Sequence, residues 1–145
     1  GYRSSGLEDI IITEVVLRLR PGPKNPLRER QREVAARKKA TQPLAAKSAG
    51  CCFKNPVLDA AIDGIGDTGQ RAPAGMLIDR AGGKQLAVGG ASVSEVHANF
   101  IVTTPQAKAR DVIELMDSVR ALVAARFNVL LEREVVVWSR QGFMA

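Results

Sequence analysis

The spacing of apolar and polar residues changes period several times along the chain. Ile10-Ile11-Ile12-Thr13-Glu14-Val15-Val16-Leu17-Arg18-Leu19-Arg20 is dense in β-branched residues and alternates at its end, which predicts a strand. Pro21-Gly22-Pro23 ends it. Residues 26–40 are polar and helix-compatible, with Leu27, Val34, Ala35 and Ala36 as their only apolar face, and Gln42-Pro43 stops that helix. Small residues at 48–56 predict a turn into a very short strand, and residues 57–72 read as a Gly-rich loop. Ala74 to Arg80 predicts a short helix closed by Gly82-Gly83; Leu86 to Ser94 and Phe100 to Val102 predict strands. Thr104-Pro105 has the hydroxyl and proline of a helix start. Beyond it Val112, Ile113, Leu115, Met116, Val119, Leu122, Val123 and Phe127 recur at helical spacing, up to a C-cap at Asn128. Val129 to Trp138 predicts a last strand, interrupted by Glu132-Arg133-Glu134. The fold class expected is α+β: a small mixed or antiparallel sheet covered by helices.

The 145 residues suit one domain, and with aromatics at 4% its core must be mostly aliphatic. No uninterrupted apolar stretch approaches the ~18 residues of a membrane span, and no basic segment leads into an apolar one as in a secretory signal. Two cysteines without such a signal point to a reducing, cytoplasmic setting. The first residue is Gly rather than Met, so the expectation is that something upstream was removed. Charge is uneven. Residues 1–50 hold 11 Lys/Arg and 5 Asp/Glu, whereas residues 51–145 hold 10 of each, so the whole net charge of +6 lies in the first third. The cluster Arg28, Arg30, Arg32, Arg37, Lys38, Lys39 and Lys47 attracts anions. Without interleaved aromatics it does not read as a nucleic-acid platform, and a phosphorylated small ligand fits better.

Candidate chemistry is sparse. Gly64-Ile65-Gly66-Asp67-Thr68-Gly69 matches a dinucleotide fingerprint by letters, but Asp59 and Asp63 break the run before it and Pro73 interrupts the segment after it, so it reads as a surface loop. Adjacent Cys51 and Cys52 with a single His, His97, make a structural metal site improbable. Cys51 follows Ser-Ala-Gly, where backbone can come close to a ligand. A lone His before an apolar strand is more often a packing or turn residue than a catalyst. Glu134 beside Val135-Val136-Val137-Trp138 reads as an outward edge charge on the face of Glu132, or as a functional carboxylate.

Several of these stretches form one ordered series. It begins with Gly1-Tyr2-Arg3-Ser4-Ser5 and Gln42-Pro43. Ser48-Ala49-Gly50-Cys51-Cys52-Phe53-Lys54-Asn55-Pro56 and Ala74-Gly75-Met76-Leu77-Ile78-Asp79 come next. Gly89-Gly90-Ala91-Ser92-Val93-Ser94, His97-Ala98-Asn99-Phe100-Ile101-Val102 and Leu131-Glu132-Arg133-Glu134-Val135 close it. In this order the chain resembles the C-terminal part of the UDP-N-acetylenolpyruvoylglucosamine reductases, flavoproteins of bacterial peptidoglycan synthesis, from Tyr2 to about Trp138. With no Tyr between Arg3 and Cys51, it is similar to the subgroup lacking a substrate-gating tyrosine loop. Departures from the family pattern are Thr41 for a Lys, Thr103 for an Asn, and Val136 and Ser139 for a basic residue and a Gly.

The resemblance implies reduction of UDP-N-acetylglucosamine enolpyruvate to UDP-N-acetylmuramate with FAD and NADPH, the activity of a UDP-N-acetylmuramate dehydrogenase. It implies catalytic roles for Arg3 and Glu134 on the developing carboxylate charge and for Cys51 as proton donor in place of the usual Ser. Substrate contacts are implied for Tyr2, Lys54, Asn55, Lys84 and His97, and no metal. Residues 1–20 would be the end of an FAD-binding domain whose remainder is missing, and residues 21–145 the C-terminal substrate-binding domain. That FAD domain would be the partner, and the chain a C-terminal fragment inactive without it. The alternative is a non-catalytic module that binds a UDP-sugar or another anion.

Overall fold

In the computed structural model, which describes Tyr2, residues 6–7, 10–139 and 142–144, the chain divides into two units, Gly1–Arg37 and Lys38–Ala145. In the first unit the apolar run 10–20 forms no strand among the described residues, contrary to expectation. Its side chains are exposed, up to 89% at Ile11. A strand is stabilised by pairing with a neighbour, and none of the described residues offers one to this run. Helix α1 (Lys24–Thr41) comes after it as expected, without one buried residue and with Lys38 and Lys39 in its last turn.

The second unit holds the core and bears out the α+β expectation. Helix α2 (Ala74–Arg80) buries Ala74, Leu77 and Ile78. Helix α3 (Ala109–Phe127) buries Leu115, Met116, Val119 and Val123, spaced on one face. Helix α3 packs on a three-stranded antiparallel sheet of β1 (Ala87–Val88), β2 (Ala91–Val93) and β3 (Ile101–Thr103), and α2 packs on α3. Phe53, Leu58 and Leu131 complete this core from segments outside the sheet.

The stretch Leu86–Ser94 is a hairpin rather than one strand, with Val88 paired to Ala91 across Gly89-Gly90. Gly89 has φ +53°, and a Cβ on Gly90 would lie 2.6 Å from Ala107 Cα, so two glycines let the chain reverse against the segment before α3. That close approach also moves the start of α3. Thr104 donates its N–H to Gly90 O (2.9 Å), so residues 104–107 form a turn. The helix begins at Ala109 instead of Pro105. The Asp111 carboxylate closes the corner by accepting the N–H groups of Gly90 and Lys108, both at 3.0 Å. At its far end α3 stops on Asn128, in the left-handed region at φ 54°, as the sequence predicts.

The predicted last strand is reduced to β4 (Val137–Ser139), which pairs with β5 (Gly142–Met144). The backbone before it is engaged elsewhere. Glu134 donates its N–H to Cys52 O (2.8 Å), and Lys54 donates to Glu132 O (2.9 Å), around an antiparallel bridge between Phe53 and Arg133.

Candidate active site

The segment Cys51–Lys54 lies between two others. On one side are residues 132–134. On the other, Cys52 donates its N–H to Asn99 O (2.8 Å), and Cys51 is bridged to Phe100. Small residues lead into this segment, and Gly50, at φ +90°, turns the chain into it.

Beside it opens a cleft of about 450 Å³ lined by Cys51, Asn55, Gly75, Asp79, Lys84, His97 and Asn99 among others. Cys51 is half-buried and is not in a disulfide bond. Asn55 Oδ1 accepts the Ala74 N–H (2.9 Å), which ties the cleft wall to the first residue of α2, while Asn55 O accepts a bond from Arg71 (2.6 Å). Lys84 Nζ is ion-paired with Asp79 Oδ2 at 2.9 Å.

His97 is fixed on three sides. Its Nδ1 accepts the Asn99 N–H (3.2 Å), so the neutral ring carries its hydrogen on Nε2. The ring stands edge-on to Phe100, with centroids 4.9 Å apart. Gly75 makes room for it: a Cβ there would lie 3.0 Å from His97 Cε1.

Of the residues expected at the site, Cys51, Asn55, Lys84 and His97 line this one cleft. Lys54 instead ion-pairs with Glu132. Glu134 is half-buried while Glu132 is exposed, so the two do not share one outward face. The Glu134 backbone is bonded to Cys52, and its charge is felt by the Cys52 thiol. That thiol is pushed up to about 11, chiefly by burial, so Cys52 stays protonated. Tyr2 belongs to the first unit and is 44% exposed. Arg3 lies outside the described residues.

Two cleft residues escaped the sequence reading. Asp79 closes the Ala74–Asp79 string five positions before Lys84, which is the only local hint of their pairing. Asn99 is a polar residue inside an apolar string and is 3% exposed. The Gly64–Gly69 loop is the surface loop expected: Ile62 pairs with Gly66, and no helix opens from it. Among the described residues no group of three or more His, Cys, Asp or Glu could hold a metal ion. No helix among them is long and apolar enough to cross a membrane.

The family profile for the UDP-N-acetylenolpyruvoylglucosamine reductase C-terminal domain matches residues 42–138. The chain belongs to this reductase family. It is 47% identical over 141 residues to UDP-N-acetylenolpyruvoylglucosamine reductase 2 of Symbiobacterium thermophilum, covering 96% of the chain and 42% of that relative. It is 42% identical over 140 residues to the reductase of Syntrophobacter fumaroxidans, covering 96% of the chain and 37% of the relative. The crystal structure of UDP-N-acetylenolpyruvylglucosamine reductase from Thermus caldophilus superposes with a TM-score of 0.63 at 38% identity, over 84% of this chain and 38% of that one. The chain thus spans about two fifths of the length of these reductases. The family resemblance and the α+β class read from the sequence are both borne out.

Proposed function

We propose that this chain is the substrate-binding, C-terminal part of an enzyme that reduces UDP-N-acetylglucosamine enolpyruvate to UDP-N-acetylmuramate in the bacterial cytoplasm. In this reading residues 1–20 end an FAD-binding domain and residues 21–145 form the substrate domain. The observation that supports it is the convergence of Cys51, Asn55, Lys84 and His97 on one cleft.

The glycine-rich loop Gly64–Gly69 opens no helix whose N-terminus could face a diphosphate. In this reading FAD would be held by a domain outside this chain and, when bound, would supply the hydride drawn from NADPH. The residues here carry the rest. Reducing the enolpyruvyl double bond adds a hydride at its terminal carbon and a proton at the neighbouring one. Charge develops meanwhile on that carbon and its carboxylate. Cys51 Sγ–H delivers the proton, and the thiolate is then reprotonated from solvent. A thiol is a stronger acid than a hydroxyl and suits this transfer near neutral pH. Cys52 is too proton-avid and too buried for the task. Arg3 stabilises the developing carboxylate charge, and Glu134 does so as a protonated carboxyl that donates a hydrogen bond to it. Lys84 exchanges Asp79 for the diphosphate. Half-exposed ion pairs are worth only about 0–1 kcal/mol, so that exchange costs little. His97 offers its Nε2–H, and Tyr2, Lys54 and Asn55 complete the substrate contacts.

The test uses the chain joined to the sequence that precedes it in its gene. Flavin absorbance and NADPH oxidation that depends on the enolpyruvyl substrate are expected. A flavin-loaded polypeptide that binds the UDP-sugar without turnover would replace this reading with the non-catalytic module.

A further inference from the structure

Asn99 is buried, yet both ends of its side chain are engaged with one other residue. Its Oδ1 accepts the Phe53 N–H (2.9 Å), and its Nδ2 donates to Phe53 O (2.8 Å). One amide side chain thus stands where the backbone of a neighbouring strand would stand, and it satisfies a donor and an acceptor at once. The Asn99 backbone makes two further bonds. Its C=O accepts the Cys52 N–H (2.8 Å) and its N–H donates to His97 Nδ1 (3.2 Å). Phe53 and Asn99 are 46 residues apart in sequence, so these bonds join two remote segments of the cleft wall. One of those segments carries Cys51 and the other His97.

We propose that Asn99 is the positioning residue of the active site: its side-chain amide clamps the Cys51–Phe53 backbone and so sets where the Cys51 thiol stands relative to the ring of His97. This rests on the proposed function, in which Cys51 gives the proton and His97 binds substrate. Asn99 acts through those groups and takes no part in the chemistry itself. The clamp needs an acceptor and a donor on one short side chain. An ionised Asp at position 99 accepts from Phe53 N–H but sets a second acceptor against Phe53 O, whereas a protonated Asp supplies both. Burial favours the protonated form and raises the pKa of a carboxyl placed there.

The experiment compares Asn99→Ala and Asn99→Asp in the polypeptide that carries both this chain and its flavin domain. Flavin reduction by NADPH, flavin reoxidation by the enolpyruvyl substrate, and thermal unfolding are measured as a function of pH. In both variants flavin reduction is expected to be unchanged. Asn99→Ala slows reoxidation at every pH, on the order of 10²-fold, the effect of displacing a reacting group by about 1 Å. Asn99→Asp approaches the parent rate at low pH and loses it as the new carboxyl ionises, a limb absent from the parent and unaccompanied by unfolding.

Parent-like reoxidation in folded Asn99→Ala, or a parent-like pH profile in Asn99→Asp, would overturn the proposal. If Asn99→Ala does not fold, the Asn99→Asp profile decides alone. If the parent itself fails to reoxidise, the proposed function falls, and the clamp is judged by alkylation of Cys51 with iodoacetamide. A rate in Asn99→Asp that departs from the parent only at pH values where the carboxyl is ionised supports the clamp, and identical rates across the pH range refute it.

Discussion

Cys52 is 2% exposed, and its folded-state pKa of about 11 lies above the ordinary 9.0. The folded chain therefore holds a proton that the unfolded chain releases between those values. The resulting stability is fully present below pH 9 and is lost as pH rises toward 11. A two-unit shift corresponds to about 3 kcal/mol. Urea unfolding under reducing conditions should show that fall, and Cys52→Ala should flatten it. A second prediction concerns Gly75. A methyl group there would sit 3.0 Å from His97 Cε1 and 3.6 Å from Asn99 Cβ, so the imidazole must shift. In the complete enzyme Gly75→Ala is expected to raise KM for the enolpyruvyl substrate about tenfold, the lower range for one methylene in a shaped pocket, with kcat less affected. An unchanged KM would remove His97 from the substrate contacts.

The corner between the β1–β2 hairpin and α3 depends on Gly90 and Asp111. A Cβ at position 90 meets Ala107 backbone atoms at 2.6 and 2.7 Å, and backbone cannot swing aside as a side chain can. Gly90→Ala should therefore destabilise the chain by about 1–3 kcal/mol or more, read as a lowered denaturation midpoint. The Asp111 carboxyl is held below its usual range, first by the Gly90 N–H and then by the Lys108 N–H. Its stabilising contribution is present above the ordinary carboxylate pKa and is lost as pH falls through the depressed one. Asp111→Asn should lower the unfolding temperature at neutral pH and weaken that acid dependence.

These elements also show what the sequence could reveal. The bounds of α2 and the end of α3 were legible because their signals are local: apolar residues at helical spacing, then Gly82 or Asn128. The start of α3 was misread because Thr104-Pro105 is a sound local signal overruled by the packing of Gly90 on Ala107, a contact across the fold. The run 10–20 has the composition of a strand, but composition does not supply a pairing partner. At the cleft, Cys51 and Asn55 are legible through the family motif, and Lys84 and His97 through the places the family gives to polar groups. Asn99 is not, because a buried polar residue declares its role only once the group it bonds, Phe53, has been brought to it.

At the scale of the whole molecule, the net charge of +6 is confined to residues 1–50, and the chain spans about two fifths of the reductases it matches. Both facts fit a division of labour in which the flavin is held elsewhere and this chain supplies the groups that meet the substrate. Such a division makes the two half-reactions separable. The most direct measurement is stopped-flow flavin absorbance in the complete polypeptide carrying Cys51→Ala, first with NADPH and then with the enolpyruvyl substrate. Flavin reduction is expected at the parent rate, followed by reoxidation slowed by about 10²–10⁴-fold, the usual contribution of a positioned general acid. Reoxidation at the parent rate would contradict Cys51 as the proton donor.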